Sequence, residues 1–183
     1  MITTLEKIRE HSPCSQGWAN LLKHLGKSGA DSEPLDIVTI LDSNGLDDAL
    51  WCLRAVSGHD REIRLYAVWC ARQVQQFMTD PRSIAAIDVA ERFANGETGQ
   101  DELTAARDAA WDAKGDAAGA SAWGTSWGFA WDAAAAASRD ARWDASRGSK
   151  GKAEQEAART EAGAAQEKEL RAVCARIAEQ EAA

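Results

Sequence analysis

From about Ala105 to Gly148 the sequence repeats in units of four residues: AARD, AAWD, AKGD, AAGA, SAWG, TSWG, FAWD, AAAA, ASRD, ARWD and ASRG. The first two positions of a unit are mostly small, the third is Trp, Gly or Arg, and the fourth is mainly Asp or Gly. Abundant alanine and few β-branched residues indicate helix. All five tryptophans of this region fall in the third position: Trp111, Trp123, Trp127, Trp131 and Trp143.

The four-residue period predicts a slow rotation of the indoles around a helix. A helix has about 3.6 residues per turn, so each step of four advances roughly 40° around the axis. Trp123, Trp127 and Trp131 therefore span about 80° and are predicted to share one core face that packs on the N-terminal helices. Trp111 and Trp143 each lie about 120° away from that trio, in opposite senses, which favours exposure of Trp143. A recognition surface, or a repeat without a selected role, is the alternative.

The length of the repeat predicts a break in the helix. A continuous helix from Leu103 to Arg147 would be nearly 70 Å long at about 1.5 Å per residue, whereas a compact domain of this size is roughly 40 Å across. Glycine weakens a helix by about 1 kcal/mol relative to alanine, so we predict a break between residues 114 and 126. Two glycine pairs with spacing of four are predicted to allow close helix packing: Gly115 with Gly119, and Gly124 with Gly128.

The first hundred residues have the pattern of short amphipathic helices. Pro13, Pro34, Asp60 and the pair Asp80-Pro81 are typical of helix starts, and Asn-Gly or Gly is typical of the ends. No alternating strand pattern is present in the sequence. We therefore predict an all-α fold, in which antiparallel short helices are followed by long Ala/Trp/Gly-rich helices with a break, as a bundle or a solenoid-like array.

The domain prediction separates the charged C-terminus from the remainder. Residues 1–147 form one helical domain, with amphipathic helices over 1–100 and the tetrad repeat over 101–147. Residues 148–183 begin with the hinge-like GSKGK and continue as a charged helix, docked or partly flexible. The only apolar stripe by which that helix can dock is thin: Leu170, Val173, Cys174 and Ile177.

Charge and cysteine pattern exclude some classes of function. The formal net charge of -8 disfavours general binding to phosphate backbones and is compatible with a basic protein partner. Four scattered cysteines without ligand spacing favour reduced, mostly buried thiols over a zinc site, so no metal or cofactor is expected. Since no signal core or apolar span is present, we expect a cytoplasmic protein of a bacterial host cell, without membrane contact.

Four segments together resemble a known family: LDDALWCLRAV, REIRLYAVWCARQV, DPRSIAAIDVAERFANGE and AARDAAWDAKGDAAGASAWG. They are similar, over roughly Leu46 to Ala137, to the immunity proteins of polymorphic toxin systems from phages and bacteria. The resemblance implies an all-helical protein that binds and neutralises another protein, and it implies no catalytic residues. The arginine-rich stretch Ser138 to Lys152 and the charged tail depart from the family pattern.

The leading functional prediction is a non-enzymatic inhibitor of a toxin or host defence effector, with self-association possible. Tryptophan and arginine are enriched at interface hot spots. The predicted binding residues therefore cluster in and around the segment RDARWDASR: Asp132, Arg139, Asp140, Arg142, Trp143, Asp144 and Arg147.

A phage counter-defence protein (an anti-CRISPR or anti-nuclease) that uses an acidic stripe as a partial nucleic-acid mimic is the alternative. Its stripe would consist of two runs, Asp108, Asp112 and Asp116, then Asp132, Asp140 and Asp144. An enzyme is disfavoured, because no phosphate loop or Ser-His-Asp signature is present and His24 and His59 lie near predicted helix ends.

Overall fold

The computed structural model of the chain confirms the all-α prediction and describes residues 1–113, 116 and 118–183. These residues form two compact units, one of residues 1–59 and 169–183 and the other of residues 60–168. The boundary therefore lies at His59 and again inside the last helix, which differs from the predicted division at 147/148. The reason is that the stripe from Leu170 to Ile177 is fully buried and belongs with the N-terminal residues.

The first unit combines four short helices with a two-stranded ribbon. Its elements are β1 (Ile2–Thr3), α1 (Leu5–Glu10), α2 (Ser15–Leu25), β2 (Leu35–Asp36), α3 (Ile37–Asn44), α4 (Leu46–Cys52), a 3₁₀ turn (Leu53–Ala55) and the C-terminal part of α10 (Lys152–Glu181). Strands β1 and β2 pair antiparallel, with Ile2 opposite Asp36. The sequence did not predict them, because two residues are too few to show alternation.

The second unit contains the tetrad repeat. Its elements are α5 (Asp60–Arg72), a 3₁₀ turn (Gln75–Phe77), α6 (Pro81–Ala94), α7 (Gln100–Asp112), α8 (Gly119–Thr125), α9 (Ala130–Ala145) and the N-terminal part of α10. Helix α9 packs on α5 and α8, while α6 packs on α5, α7 and α8. The repeat is thus folded against α5 and α6.

Several predicted helix starts are confirmed and others shift by a few residues. Asp80 caps α6 by accepting a hydrogen bond from the Arg82 amide, with Pro81 at the first helical position. Helix α3 begins at Ile37, three residues after Pro34, because Asp36 is its N-cap. Likewise α2 begins after Pro13, because the Cys14 sulfur caps it.

The predicted break in the repeat is confirmed, and a second break is present. Helix α7 ends at Asp112, two residues before the predicted region, and α8 begins at Gly119, inside it. The chain turns again between α8 and α9, over residues 126–129. This second turn resets the rotational phase of the repeat, so α9 has to be considered separately from α8.

Small residues form the core of the repeat. From position 121 onward, most residues in the first two tetrad positions are buried: Ser121, Ala122, Thr125, Ser126, Ala130, Ala133, Ala134, Ala137, Ser138, Ala141 and Ser146. Alanine and serine occupy little volume, so α8 and α9 approach their neighbours closely. The part of the core that α8 and α9 contribute is therefore a set of tight helix contacts between small side chains.

Candidate functional site

The tryptophans lie at the margin of the fold. None of the eight is in the buried class, and Trp111 and Trp143 are each 60% exposed. The prediction that Trp123, Trp127 and Trp131 form a buried packing face is therefore wrong, because all three are only half-buried. In this part of the repeat, small residues rather than the indoles form the buried contacts.

Helix α9 nevertheless shows the slow rotation that the period predicts. Its third-position residues change from half-buried at Trp131 to exposed at Arg139 and Trp143. The fourth position shows no steady trend, since Asp132 and Asp140 are half-buried whereas Ala136 and Asp144 are buried. Twelve residues at four per step amount to a rotation of about 120°, enough to exchange an outward for an inward position.

Three indoles from separate elements form what we call the indole cluster: Trp111, Trp123 and Trp127. The ring centroids of Trp111 and Trp123 are 5.1 Å apart with planes tilted by 45°. Those of Trp123 and Trp127 are 5.0 Å apart and nearly perpendicular. Such tilted and edge-on pairs are favourable for aromatic rings. The cluster joins the end of α7 to α8 and to the turn that follows α8.

A second aromatic site lies in what we call the α9–α10 groove, an open groove of about 790 Å³. The Arg159 guanidinium lies 3.9 Å from the Trp143 ring centroid, a cation–π contact. Ser146 Oγ donates to the Trp143 carbonyl oxygen at 2.7 Å and accepts from Arg159 Nε at 3.4 Å. Trp143 is thus positioned by α10 while most of its surface remains accessible.

Charges of both signs line the α9–α10 groove. Arg139, Arg142 and Arg159 face it together with Asp140, Glu156 and Glu167. Arg139 Nε bonds to Asp140 Oδ1 at 3.2 Å. Burial raises the pKa of the Asp140 carboxyl, and Arg139 only partly opposes this effect. The predicted residues Arg139, Asp140, Arg142 and Trp143 therefore do come together.

Asp144 and Arg147 belong to the predicted binding surface, but the structure pairs them with each other and bonds Asp144 to α8. Asp144 is buried, and its Oδ2 accepts a hydrogen bond from Ser121 Oγ at 2.7 Å, which links α9 to α8. Arg147 Nε donates to Asp144 Oδ1 at 2.8 Å. The prediction of Asp144 as a surface contact is wrong, because the side chain is buried against Ser121 of α8.

The six repeat aspartates do not form one exposed stripe. Asp108 and Asp112 are exposed, whereas Asp132 and Asp140 are half-buried and Asp144 is buried. Asp116 Oδ1 accepts hydrogen bonds from the amide and hydroxyl of Thr79 at 2.7 and 3.1 Å. Several of these carboxylates are therefore engaged inside the fold.

The glycines differ in role. A Cβ atom on Gly124 would lie 3.0 Å from the Ala137 nitrogen, and one on Gly119 would lie 3.4 Å from Ser83 Oγ, so both lie at close helix contacts. Gly128 has open space around its Cβ position, so its predicted packing role is wrong. Gly115 lies outside the described residues.

Arg64 is an important residue that the sequence did not single out. It is 2% exposed, and its Nη1 donates to the carbonyl oxygens of Thr125 and Trp127 at 2.9 and 2.8 Å. Its Nη2 donates to the Gly128 oxygen at 2.8 Å. Burial lowers the pKa of Arg64 to about 10, so it stays charged at neutral pH. Arg64 therefore fixes the turn that carries Trp127.

The described residues contain no group of three or more His, Cys, Asp or Glu side chains able to hold a metal ion. Within the same residues, no helix has the length and apolar character that a membrane crossing requires. The first unit has one small cavity of about 90 Å³, lined by residues that include Cys14, Trp18 and Cys52. Comparison with protein families, curated proteins and solved structures found no match to this chain.

Proposed function

We propose that the protein is a non-catalytic inhibitor of the immunity type, which binds and neutralises a partner protein through the α9–α10 groove. The observation that carries this proposal is the placement of Trp143, an indole that is 60% exposed, stacked with Arg159 and flanked by arginines. Tryptophan and arginine in a shaped surface are the residue types that dominate interface energetics.

Pre-organisation of the groove supports the same proposal. The Arg159 contact orders the indole before binding, and the two hydrogen bonds of Ser146 connect the Trp143 main chain to Arg159. A side chain that is already ordered loses less conformational entropy on association, which favours affinity. The equal numbers of acidic and basic side chains in the groove favour a partner surface that carries both signs of charge.

The test is co-expression with the product of a neighbouring reading frame, followed by growth rescue and co-purification. We expect Trp143→Ala to weaken the complex by about 2 kcal/mol or more, equivalent to about thirtyfold, and to abolish rescue. Phe129→Ala is the matched control, because Phe129 is 68% exposed in the same unit but lies outside the groove. Equal losses from both variants, or from neither, would contradict the proposal.

A phage counter-defence role, with a host defence effector as the partner, uses the same binding surface, and the genomic neighbourhood distinguishes the two settings. Nucleic-acid mimicry receives less support, because only Asp108 and Asp112 of the six repeat aspartates are exposed. A mimic complex would dissociate as salt is raised, whereas a packed groove would resist salt. We further propose action in the bacterial cytoplasm, where the thiols stay reduced.

A further inference from the structure

The indole cluster is a second aromatic surface, and the charges near it differ from those of the α9–α10 groove. Trp111 is 60% exposed at the end of α7, and its ring packs against the ring of Trp123 of α8. Two exposed carboxylates lie within three residues of Trp111 on α7, Asp108 and Asp112, and Arg107 is the single basic side chain on α7 and α8. An accessible aromatic surface is thus combined with an excess of negative charge.

We propose that the indole cluster docks a basic segment of a partner protein, with an arginine or lysine side chain of that segment stacked on Trp111. A cation is attracted to the face of an indole, and this attraction strengthens as water is excluded. The same geometry occurs within the chain, since Arg54 lies 4.1 Å from the Trp51 ring centroid and Arg159 lies 3.9 Å from that of Trp143. In the proposed complex the partner supplies the cation.

The side chain of Asp108 on α7 lies near the Trp111 ring on which the partner's cation is proposed to stack. Asp108 precedes Trp111 by three residues and lies on the same face of the helix. Its side chain is 65% exposed, and Arg107 approaches it at 3.1 Å. A guanidinium or ammonium on the Trp111 face would therefore lie close to an accessible carboxylate, which adds Coulomb attraction to the stacking.

The negative charge of α7 also indicates which kind of molecule could bind the indole cluster. A second copy of the chain would bring two acidic α7–α8 surfaces together, at a net charge of -8 per copy. Phosphate groups would be repelled in the same way. A basic protein segment is the occupant that both the aromatic surface and its charge favour.

The experiment uses the full chain and a short Arg/Gly/Ala peptide, followed through the indole N–H resonances by NMR. Individual Trp→Phe variants assign the resonances. We expect the Trp111 and Trp123 signals to shift first, with binding that weakens as salt rises. A peptide with Gln in place of Arg should bind at least about fivefold more weakly, since a cation–π contact contributes about 1 kcal/mol.

Two variants and a control locate the site. Trp111→Gln and the double variant Asp108→Asn/Asp112→Asn should each weaken peptide binding by about three- to fivefold, while Trp143→Gln leaves it within about twofold. Shifts confined to Trp143, equal binding of the Gln peptide, or indole shifts that depend on protein concentration without peptide would each overturn the proposal.

This inference rests on the proposed function only in taking the occupant to be a protein. A partner that binds through Trp143 and is unaffected by Trp111→Gln would overturn it while leaving the proposed function intact. Conversely, suppose that the peptide binds at Trp111 and that Trp143→Ala has no effect on the partner complex. This result would support the inference and contradict the proposal that the partner binds in the α9–α10 groove.

Discussion

Gly124 of α8 packs against Ala137 of α9 so closely that a Cβ atom on the glycine would lie 3.0 Å from the Ala137 main-chain nitrogen. The same atom would lie 3.2 Å from the Ala136 Cβ. Main-chain atoms of a packed helix cannot move aside singly, so a larger residue at position 124 has to push α9 away. The spacing of α8 and α9 therefore depends on this glycine.

We predict that Gly124→Ala lowers the free energy of unfolding. Overpacking costs about 1–3 kcal/mol, and the better helix propensity of alanine offsets about 1 kcal/mol of that cost. Gly128→Ala is the matched control four residues away, where no atom lies within 4 Å of the Cβ position. Chemical denaturation should show the control unchanged or more stable by up to about 1 kcal/mol. Equal effects at both positions would contradict the packing role.

Arg64→Met should destabilise the second unit strongly. The substitution leaves the carbonyl oxygens of Thr125, Trp127 and Gly128 without their buried donor, with an expected cost of about 3–5 kcal/mol. Arg61→Met on the same helix is the control, because Arg61 is exposed and should change stability by less than about 0.5 kcal/mol. Urea denaturation measures both. A similar midpoint for the two variants would exclude Arg64 as the clamp of this turn.

Ser121 and Asp144 should show energetic coupling in a double-mutant cycle. Asp144→Ala leaves the buried Ser121 hydroxyl without its acceptor, and Ser121→Ala removes the donor. The losses of unfolding free energy in these two single variants should therefore add up to more than the loss in the double variant. We expect a coupling energy of about 0.5–3 kcal/mol from denaturation of the four proteins. Asp108→Ala serves as the exposed control. Additive losses would mean that the 2.7 Å contact contributes nothing to stability.

The four cysteines should differ in reactivity. Cys14 is exposed, whereas Cys52, Cys70 and Cys174 are buried, so a thiol reagent should modify one site quickly and three only on unfolding. Mass spectrometry of the modified peptides identifies the fast site. Rapid modification of any of the three buried cysteines in the native protein would contradict their placement.

The stability of the chain should also fall at high pH. Burial raises the pKa of the Cys52 thiol from 9.0 to about 12, so above pH 9 the unfolded chain releases a proton that the native chain retains. The unfolded state then binds fewer protons, and the stability from Cys52 decreases between pH 9 and 12. Cys52→Ala should reduce the slope of unfolding free energy against pH in that window. An unchanged slope would mean that Cys52 titrates normally.

Much of the fold follows from local signals in the sequence. Asp80-Pro81 starts a helix as predicted, Gly26 ends one with a φ of 65°, and the glycine-containing region of the repeat breaks. These features depend on nearby residues, so the sequence exposes them. The stripe from Leu170 to Ile177 was also predictable, because its spacing leaves one apolar side on a charged helix.

The candidate site was predictable only in part. Period and rotation correctly placed Trp143 outside, whereas the burial of Asp144 against Ser121 of α8 is a tertiary contact that the repeat does not indicate. The half-buried trio was missed because the turn over residues 126–129 separates Trp123 from Trp131. Arg64 gives no signal at all, since its acceptors are main-chain oxygens about sixty positions away.

Buried and exposed side chains occupy different positions of the tetrad, and this separation affects which substitutions the chain can accept during evolution. Scaffold and exposed surface are encoded in different columns, since small residues of the first two columns are largely buried while the third column supplies exposed Trp111, Arg139, Trp143 and Arg147. Replacement of Trp111, Arg139 or Trp143 should therefore change the proposed binding surfaces with little effect on the stability of the fold. A lineage under pressure from changing targets can revise its specificity one indole or arginine at a time.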